Sequence, residues 1–206
     1  MKTKPNSEHK LSSLAKFTPW VITICGGVGA FASLMLAIEE FHHLKNPEAV
    51  LNCDINPIIG CGSIMDTWQG HAILNVPNQL WGLAMFASLL TIGISLLIGA
   101  KYPRWFWRAL LGGLVFGIIL VHWFIYKSLY VLRHLCPYCM TTWAALIPAF
   151  VIIAAYSLHA DHVRPPKILA PFSQMLKSYW PEVALGWLVA ILMLILWRFK
   201  DFFFGI

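Results

Sequence analysis

Five apolar stretches, each near the length of a membrane-crossing helix, leave this chain few folds. They run from Trp20 to Ile38, Leu80 to Gly99, Ala109 to Leu132, Pro137 to Leu158 and Val183 to Phe199. A spanning helix needs about 20 apolar residues (range 17–25). The chain is 59% hydrophobic and 12% charged, against about 25% charged in an ordinary soluble domain. One soluble core cannot hide that much apolar surface. The expected class is therefore an all-α integral membrane protein, multi-pass, with the bilayer as its solvent. The first stretch exceeds the 7–15-residue core of a secretory signal and no A-x-A site follows it, so it reads as a retained helix.

Basic residues set a direction. With the N-terminus inside, the inner segments hold Lys2, Lys4, Lys10, Lys16, Lys101, Arg104, Arg108, Arg164, Lys167 and Lys177. The outer segments and outer helix ends hold Lys45, Lys127, Arg133, Arg198 and Lys200. Ten against five follows the positive-inside rule. Glu39, Glu40, Glu48, Asp54 and Asp66 fall in the first outer loop on this reading, and the C-terminus lies outside. The net charge of +6 is thus a matter of topology. No phosphate-binding, dinucleotide or zinc-finger spacing accompanies it, and no nucleic-acid partner is expected.

The same topology puts four of the five cysteines outside, as two pairs. Cys53 and Cys61 sit in the loop from about Glu39 to Pro77. Cys136 and Cys139 open the fourth span as Cys136-Pro-Tyr-Cys139. Disulfides persist outside the cytosol, so the cysteine and charge readings agree. A spacing of three at a helix start puts both sulfurs on one side, and the helix N-terminus favours a thiolate at Cys136. Cys139 lies one turn deeper, where an acceptor buried among helices meets it first. The loop pair, flanked by Pro57, Gly60 and Gly62, is expected to swing and exchange with Cys136. The pattern points to a sulfur relay in a membrane redox enzyme. A four-cysteine zinc site, inert structural disulfides or a non-catalytic scaffold are the competing readings. Thiols that never change redox state would favour the last.

Other features say less. Cys61 to Gly70 is expected to form a short surface helix with Ile64, Met65 and Trp68 toward lipid, ending at Gly70 or Asn75. Pro77 suits the first turn of the second span. Cys25, mid-span, reads as a small buried apolar residue. His42, His43, His71, His122, His159 and His162 show no ligand spacing and read as interfacial or solvated, and no metal site is expected. Gly113-x-x-x-Gly117 fits close helix packing.

In combination these motifs are similar to those of the vitamin K epoxide reductase family, in its bacterial, disulfide-forming branch. The resemblance rests on Asn52-Cys53-Asp54 with Cys61 eight residues on, Thr67 six further, Asn78 before Trp81-Gly82, and Cys136-x-x-Cys139-x-Thr141-Thr142. It covers about Trp20 to Leu158. The spread pair precedes the C-x-x-C, the reverse of the unrelated disulfide-bond-forming B family. The resemblance implies a four-transmembrane-helix bundle over residues 20–158 enclosing a quinone, menaquinone or ubiquinone. An inner tail (1–19), an inner loop (159–182) and a fifth transmembrane helix with the C-terminus (183–206) complete the layout. It further implies that Cys53 exchanges with the substrate protein, Cys61 with Cys136, and Cys139 with the quinone. Asn78 and Trp143 take the positions that contact the quinone head group, with Met65 and Thr67 as further contacts. Members often carry Tyr where Trp143 stands, and an indole can only donate. The implied activity is a quinone-dependent thiol oxidase of the cell's inner (cytoplasmic) membrane, active on the periplasmic side. Since the chain stops at Ile206, the implied partner is a separate thioredoxin-like protein. Reduction of a quinone epoxide by the same cysteines is the alternative.

Overall fold

The computed structural model describes residues 5–46, 50–56, 58–163, 165 and 170–205, with side chains from Leu14 onward, that of Phe204 excepted. Among the residues used above, Lys2, Lys4, Glu48, Pro57, Arg164, Lys167 and Ile206 lie outside the described residues, and the side chain of Lys10 likewise.

Helix α1 spans Pro5–Lys45, α3 Asn78–Leu97, α4 Arg104–Tyr126, α5 Pro137–His159 and α7 Trp180–Arg198. Each holds a window apolar enough to cross a bilayer, and no strand occurs among the described residues. The expected class, an all-α membrane protein with five spanning helices, is what the chain forms.

The ends of α1 differ most from the sequence reading. The stretch read as an inner tail up to residue 19 is helical from Pro5. A helix that satisfies its own backbone has no reason to stop at the hydrocarbon boundary. At the other end α1 continues past Ile38, so Glu39, Glu40, His42 and His43 belong to a helix and not to the loop. The inner loop is also partly ordered, with α6 over Ala170–Ser178. Its Ser173 and Leu176, three residues apart, are buried together.

Helix α5 is the axis of the bundle. Its residues from Ala145 to Ala155 are almost all buried, while the other spans keep wide apolar faces exposed, as lipid-facing helices do. α5 packs against α1, α4, α6 and α7. The C-terminal end of α7 (Ile195 and, just beyond it, Phe199) packs with Trp143 in the first turns of α5 and with Leu135 just before it. The two helices therefore run antiparallel, as five spans require.

The closest approach is between α1 and α3. A Cβ built on Gly26 would lie 2.5 Å from the backbone nitrogen of Leu90, and one on Gly93 2.6 Å from that of Thr23. Small residues let membrane helices meet backbone to backbone. The glycines that do this are not Gly113 and Gly117. A Cβ on Gly113 meets nothing within 4 Å, and one on Gly117 would meet only flexible side-chain ends, Met85 Sδ at 3.3 Å and Leu146 Cδ2 at 3.4 Å. Both line a cavity between α3 and α4. The expected Gly-x-x-x-Gly packing is corrected: there the missing side chains make room.

Candidate functional site

The loop between α1 and α3 is wired to the bundle at both ends. Glu39, 6% exposed, accepts from the side-chain amide of Asn52 at 2.8 Å and from its backbone N–H at 3.2 Å. Asn56 Oδ1 accepts from the N–H groups of Ile58 and Ile59. Gly60 N–H donates to Leu135 O at 2.9 Å, and Leu135 N–H to Ile58 O at 2.8 Å. This parallel bridge fastens the loop beside the residue just before Cys136. Asp54 Oδ1 accepts from Cys61 N–H at 2.8 Å and from Gly62 N–H at 3.3 Å. A Cβ on Gly60 would meet that same oxygen at 2.5 Å, so this position admits glycine because the carboxylate approaches so closely. In this conformation these hydrogen bonds hold the loop against the bundle.

Asp54→Ala should therefore loosen the Cys61 turn. Loss of a charge-assisted acceptor at two backbone donors is worth about 1–2 kcal/mol. Hydrogen exchange at Cys61 and Gly62 should speed up about tenfold or more, while Asp54→Asn, which keeps an oxygen, retains most of the protection. Equal exchange in both variants would remove Asp54 from this role.

The result is a buried sulfur cluster. Cys53 and Cys61 form a disulfide with a Cα–Cα distance of 5.7 Å. Cys136 and Cys139 are free thiols. The Sγ atoms of Cys61 and Cys136 lie 3.3 Å apart, and Cys53, Cys61 and Cys136 are each 3% exposed or less. Leu51, Met65 and Ile64 pack around them.

Cys136 is the N-cap of α5, with Pro137 in the first turn, and its sulfur accepts from Cys139 N–H at 3.4 Å. Proline suits the first helical position because its missing N–H is not needed there. The Cys139 thiol, then the N–H groups of Cys139 and Tyr138, hold the Cys136 thiol below its ordinary value, against burial and the Asp54 carboxylate. Hydrogen bonds to the charged form favour it. Disulfides break by thiolate attack on one sulfur, and the Cys136 sulfur sits beside the Cys61 sulfur.

Cys139 opens on the other side of this cluster, into a cavity of about 550 Å³. The cavity is bounded by all four of α1, α3, α4 and α5, and Cys61 and Cys136 line it too. Its walls are mainly apolar, including Met85, Phe86, Leu120 and Leu146.

The sequence-derived candidates divide here. Asn78, Trp143 and Met65 line the cavity. Asn78 donates through Nδ2 to Gln69 O at 2.5 Å, and its Oδ1 is buried without a partner. Met65 is 8% exposed and turns inward to the sulfurs, not toward lipid. The expected continuous surface helix is split into α2, Gly62–Met65, and a 3₁₀ turn, Trp68–His71, with Thr67 extended between them. That break puts Met65 and Trp68 on different sides: Met65 stays buried while Trp68 is 64% exposed. Thr67 does not join the cavity wall; its hydroxyl donates to Ile64 O at 2.6 Å.

Several cavity groups escaped the sequence reading. Gln69 Oε1 and Ser33 Oγ are buried without partners and line the cavity. Glu40, read as a loop residue, also lines it and meets His71 Nε2 at 3.0 Å. His43 Nε2 meets Asp66 at 2.8 Å, so these two histidines are partnered and not simply solvated. Two acids adjoining a long apolar run were the available signal, since carboxylates at membrane depth are costly and tend to be functional.

Two cysteine pairs in contact at one end of a helical bundle, one of them facing an apolar cavity, form a conduit from thiols to something held among the helices. The sequence model of the vitamin K epoxide reductase family matches residues 20–154, the stretch that builds the cavity and carries all four of these cysteines. The chain belongs to the vitamin K epoxide reductase family and shares its membrane-bound, quinone-linked cysteine redox chemistry.

Proposed function

We propose that this protein is a thiol oxidase of the family's bacterial, disulfide-forming branch. In this reading it makes disulfides de novo and hands them to an extracytoplasmic thioredoxin-like protein. The observation that carries the reading is the 3.3 Å separation of Cys61 and Cys136 sulfurs, with Cys139 behind them on the cavity.

The relay runs in balanced steps. A partner thiolate attacks Cys53, forming a mixed disulfide and releasing Cys61 as thiolate. The partner's second thiol then attacks its own bridged sulfur, leaving with a disulfide while Cys53 and Cys61 hold the electron pair and protons. Next, Cys61 attacks Cys136 of an oxidised Cys136–Cys139 pair and frees Cys139. Cys53 closes back on Cys61 and releases Cys136. The arrangement described above, loop pair joined and helix pair reduced, corresponds to the end of that exchange.

The cavity suits a quinone. The apolar enclosure fits a flat, mainly apolar ring, and the orphaned amide oxygens of Asn78 and Gln69 would accept from the hydroxyls of its reduced form, not from quinone carbonyls. Asn78 retains a second N–H to donate beyond the one on Gln69 O. When bound, a quinone supplies a lipid-soluble acceptor for two electrons and two protons. Trp143 would lie along such a ring. Thr67, held to Ile64 O, would act by fixing the turn rather than by contact.

By the positive-inside count the cysteine end faces the periplasm of a cell's inner membrane. Residues 20–158 would be the catalytic bundle, 159–182 an inner connection and 183–206 a buttress for the Trp143 end.

Purified protein should oxidise a reduced thioredoxin-like donor while reducing ubiquinone or menaquinone, each supplied separately. Given the thioredoxin-like partner in its disulfide form, Cys61→Ser should trap a Cys53–partner adduct on a non-reducing gel: the Cys53 thiolate opens the partner's disulfide, and no Cys61 sulfur remains to resolve the product. No quinone reduction with any donor, or activity only toward a quinone epoxide, would overturn the oxidase reading. Absence of any adduct would remove Cys53 from its role.

A further inference from the structure

The cavity has an acid of its own. Among the described residues Glu40 is the one carboxylate in its lining. It sits on the last turns of α1 with its side chain 7% exposed. Its Oε1 meets His71 Nε2 at 3.0 Å, and the His71 side chain is 28% exposed. The pair thus spans from the cavity wall to the surface at the cysteine end. An ionised carboxylate is expensive to bury in such a place. Glu39, its neighbour, is committed to Asn52, whereas among the described residues Glu40 is bonded to His71 and to no loop backbone group.

The quinone-linked reaction creates a need for such a path. Two thiols lose two electrons and two protons as an S–S bond forms, and a quinone takes up two electrons and two protons. The sulfurs that release protons are buried, and the cavity walls are mostly apolar. The other charged group in the lining is Lys127, whose ammonium lies 5.8 Å from the Trp68 ring and 5.7 Å from the Trp123 ring. One turn along α1 from Glu40, His43 is held by Asp66, and Cys136 and Cys139 are the ionisable groups in the lining from the α5 end.

We propose that Glu40 and His71 form a proton path between this cavity and the outer aqueous surface, with Glu40 the residue that exchanges protons with a reducible group held inside. The carboxyl takes a proton from the imidazolium of His71, passes it into the cavity, and is re-protonated through the same ring. His71 exchanges with water. No electron moves along this path; it returns to the cavity the protons that leave the thiols on the partner side. The inference rests on the reading of the cavity as the acceptor site.

Glu40→Gln keeps an acceptor for His71 and removes the carried proton. A positioned acid contributes about 10²–10⁴-fold to a proton-transfer step. Single-turnover quinone reduction by Glu40→Gln protein should therefore slow about a hundredfold and become faster as pH falls. Adduct formation at Cys53 and thermal stability should stay as in the parent, and Glu40→Asp should recover part of the rate. A second measurement needs no quinone. In acid, the Glu40 carboxyl infrared band, identified by its loss in Glu40→Gln, should shift promptly in D₂O. In His71→Phe that shift should slow at least tenfold. Unchanged quinone kinetics in Glu40→Gln, equal losses of adduct formation and stability, or prompt deuteration in His71→Phe would each overturn the path. If the parent protein reduces no quinone, the acceptor-site reading fails, while the deuteration result still reports on whether the path exists.

Discussion

Cys139→Ala brings quinone reduction down to the uncatalysed background, a loss of about 10³-fold or more, while the partner adduct at Cys53 still forms. The reason is positional. Cys53 and Cys61 are joined to each other and screened from solvent. Cys136, at 1% exposure, faces Cys61. Cys139 sits one helical turn deeper and shares the cavity wall with Asn78 and Trp143. With it gone, Cys136 can still meet Cys61, but no second sulfur closes the pair and electrons stop at the helix. The check is absorbance of the quinone in detergent-solubilised protein with a reduced donor, beside a non-reducing gel of the same sample. Undiminished quinone reduction would refute Cys139 as the terminal thiol.

Gly26→Val should damage the fold most. Its Cβ would fall 2.5 Å from Leu90 N and 2.8 Å from Leu90 Cα, and backbone cannot move aside as a flexible side chain can. α1 and α3 would have to separate along the closest seam of the bundle. Overpacking costs about 1–3 kcal/mol in favourable cases and more where backbone is struck, so a loss of about 3 kcal/mol or more is expected. It should be read as a lowered unfolding midpoint in detergent. Gly113→Ala is the control: its Cβ meets nothing within 4 Å, and stability should be unchanged. Equal stability of the parent and Gly26→Val would mean that this seam does not hold the bundle.

The contrast between those two glycines shows how far the linear pattern reaches. Gly113-x-x-x-Gly117 has the spacing of a packing motif, yet it faces the cavity. Gly26 and Gly93 lie on different helices, and only their crossing makes them contact residues. The acids behave alike. Glu39 and Glu40 are adjacent in sequence, and hydropathy ends the first span just before them. Whether they are loop or helix depends on how far α1 projects past the bilayer. One then anchors Asn52 and the other enters the cavity wall. Met65 and Trp68 part ways because Thr67 breaks the expected helix between them, a local backbone decision that apolar periodicity does not encode.

Sequence by itself determined the solvent, the number of spanning helices and the chemistry. Apolar runs of about twenty residues have one stable form in lipid, and four cysteines in two pairs at one end of the bundle define a redox system. Exchange between Cys61 and Cys136 was already implied by the family resemblance; the tertiary structure decided how those two sulfurs come to touch. Cys61 and Cys136 are 75 positions apart, and they meet because two hydrogen bonds between the loop and Leu135 dock one segment on the other. Such proximity is a property of folded distance, which residue order cannot carry.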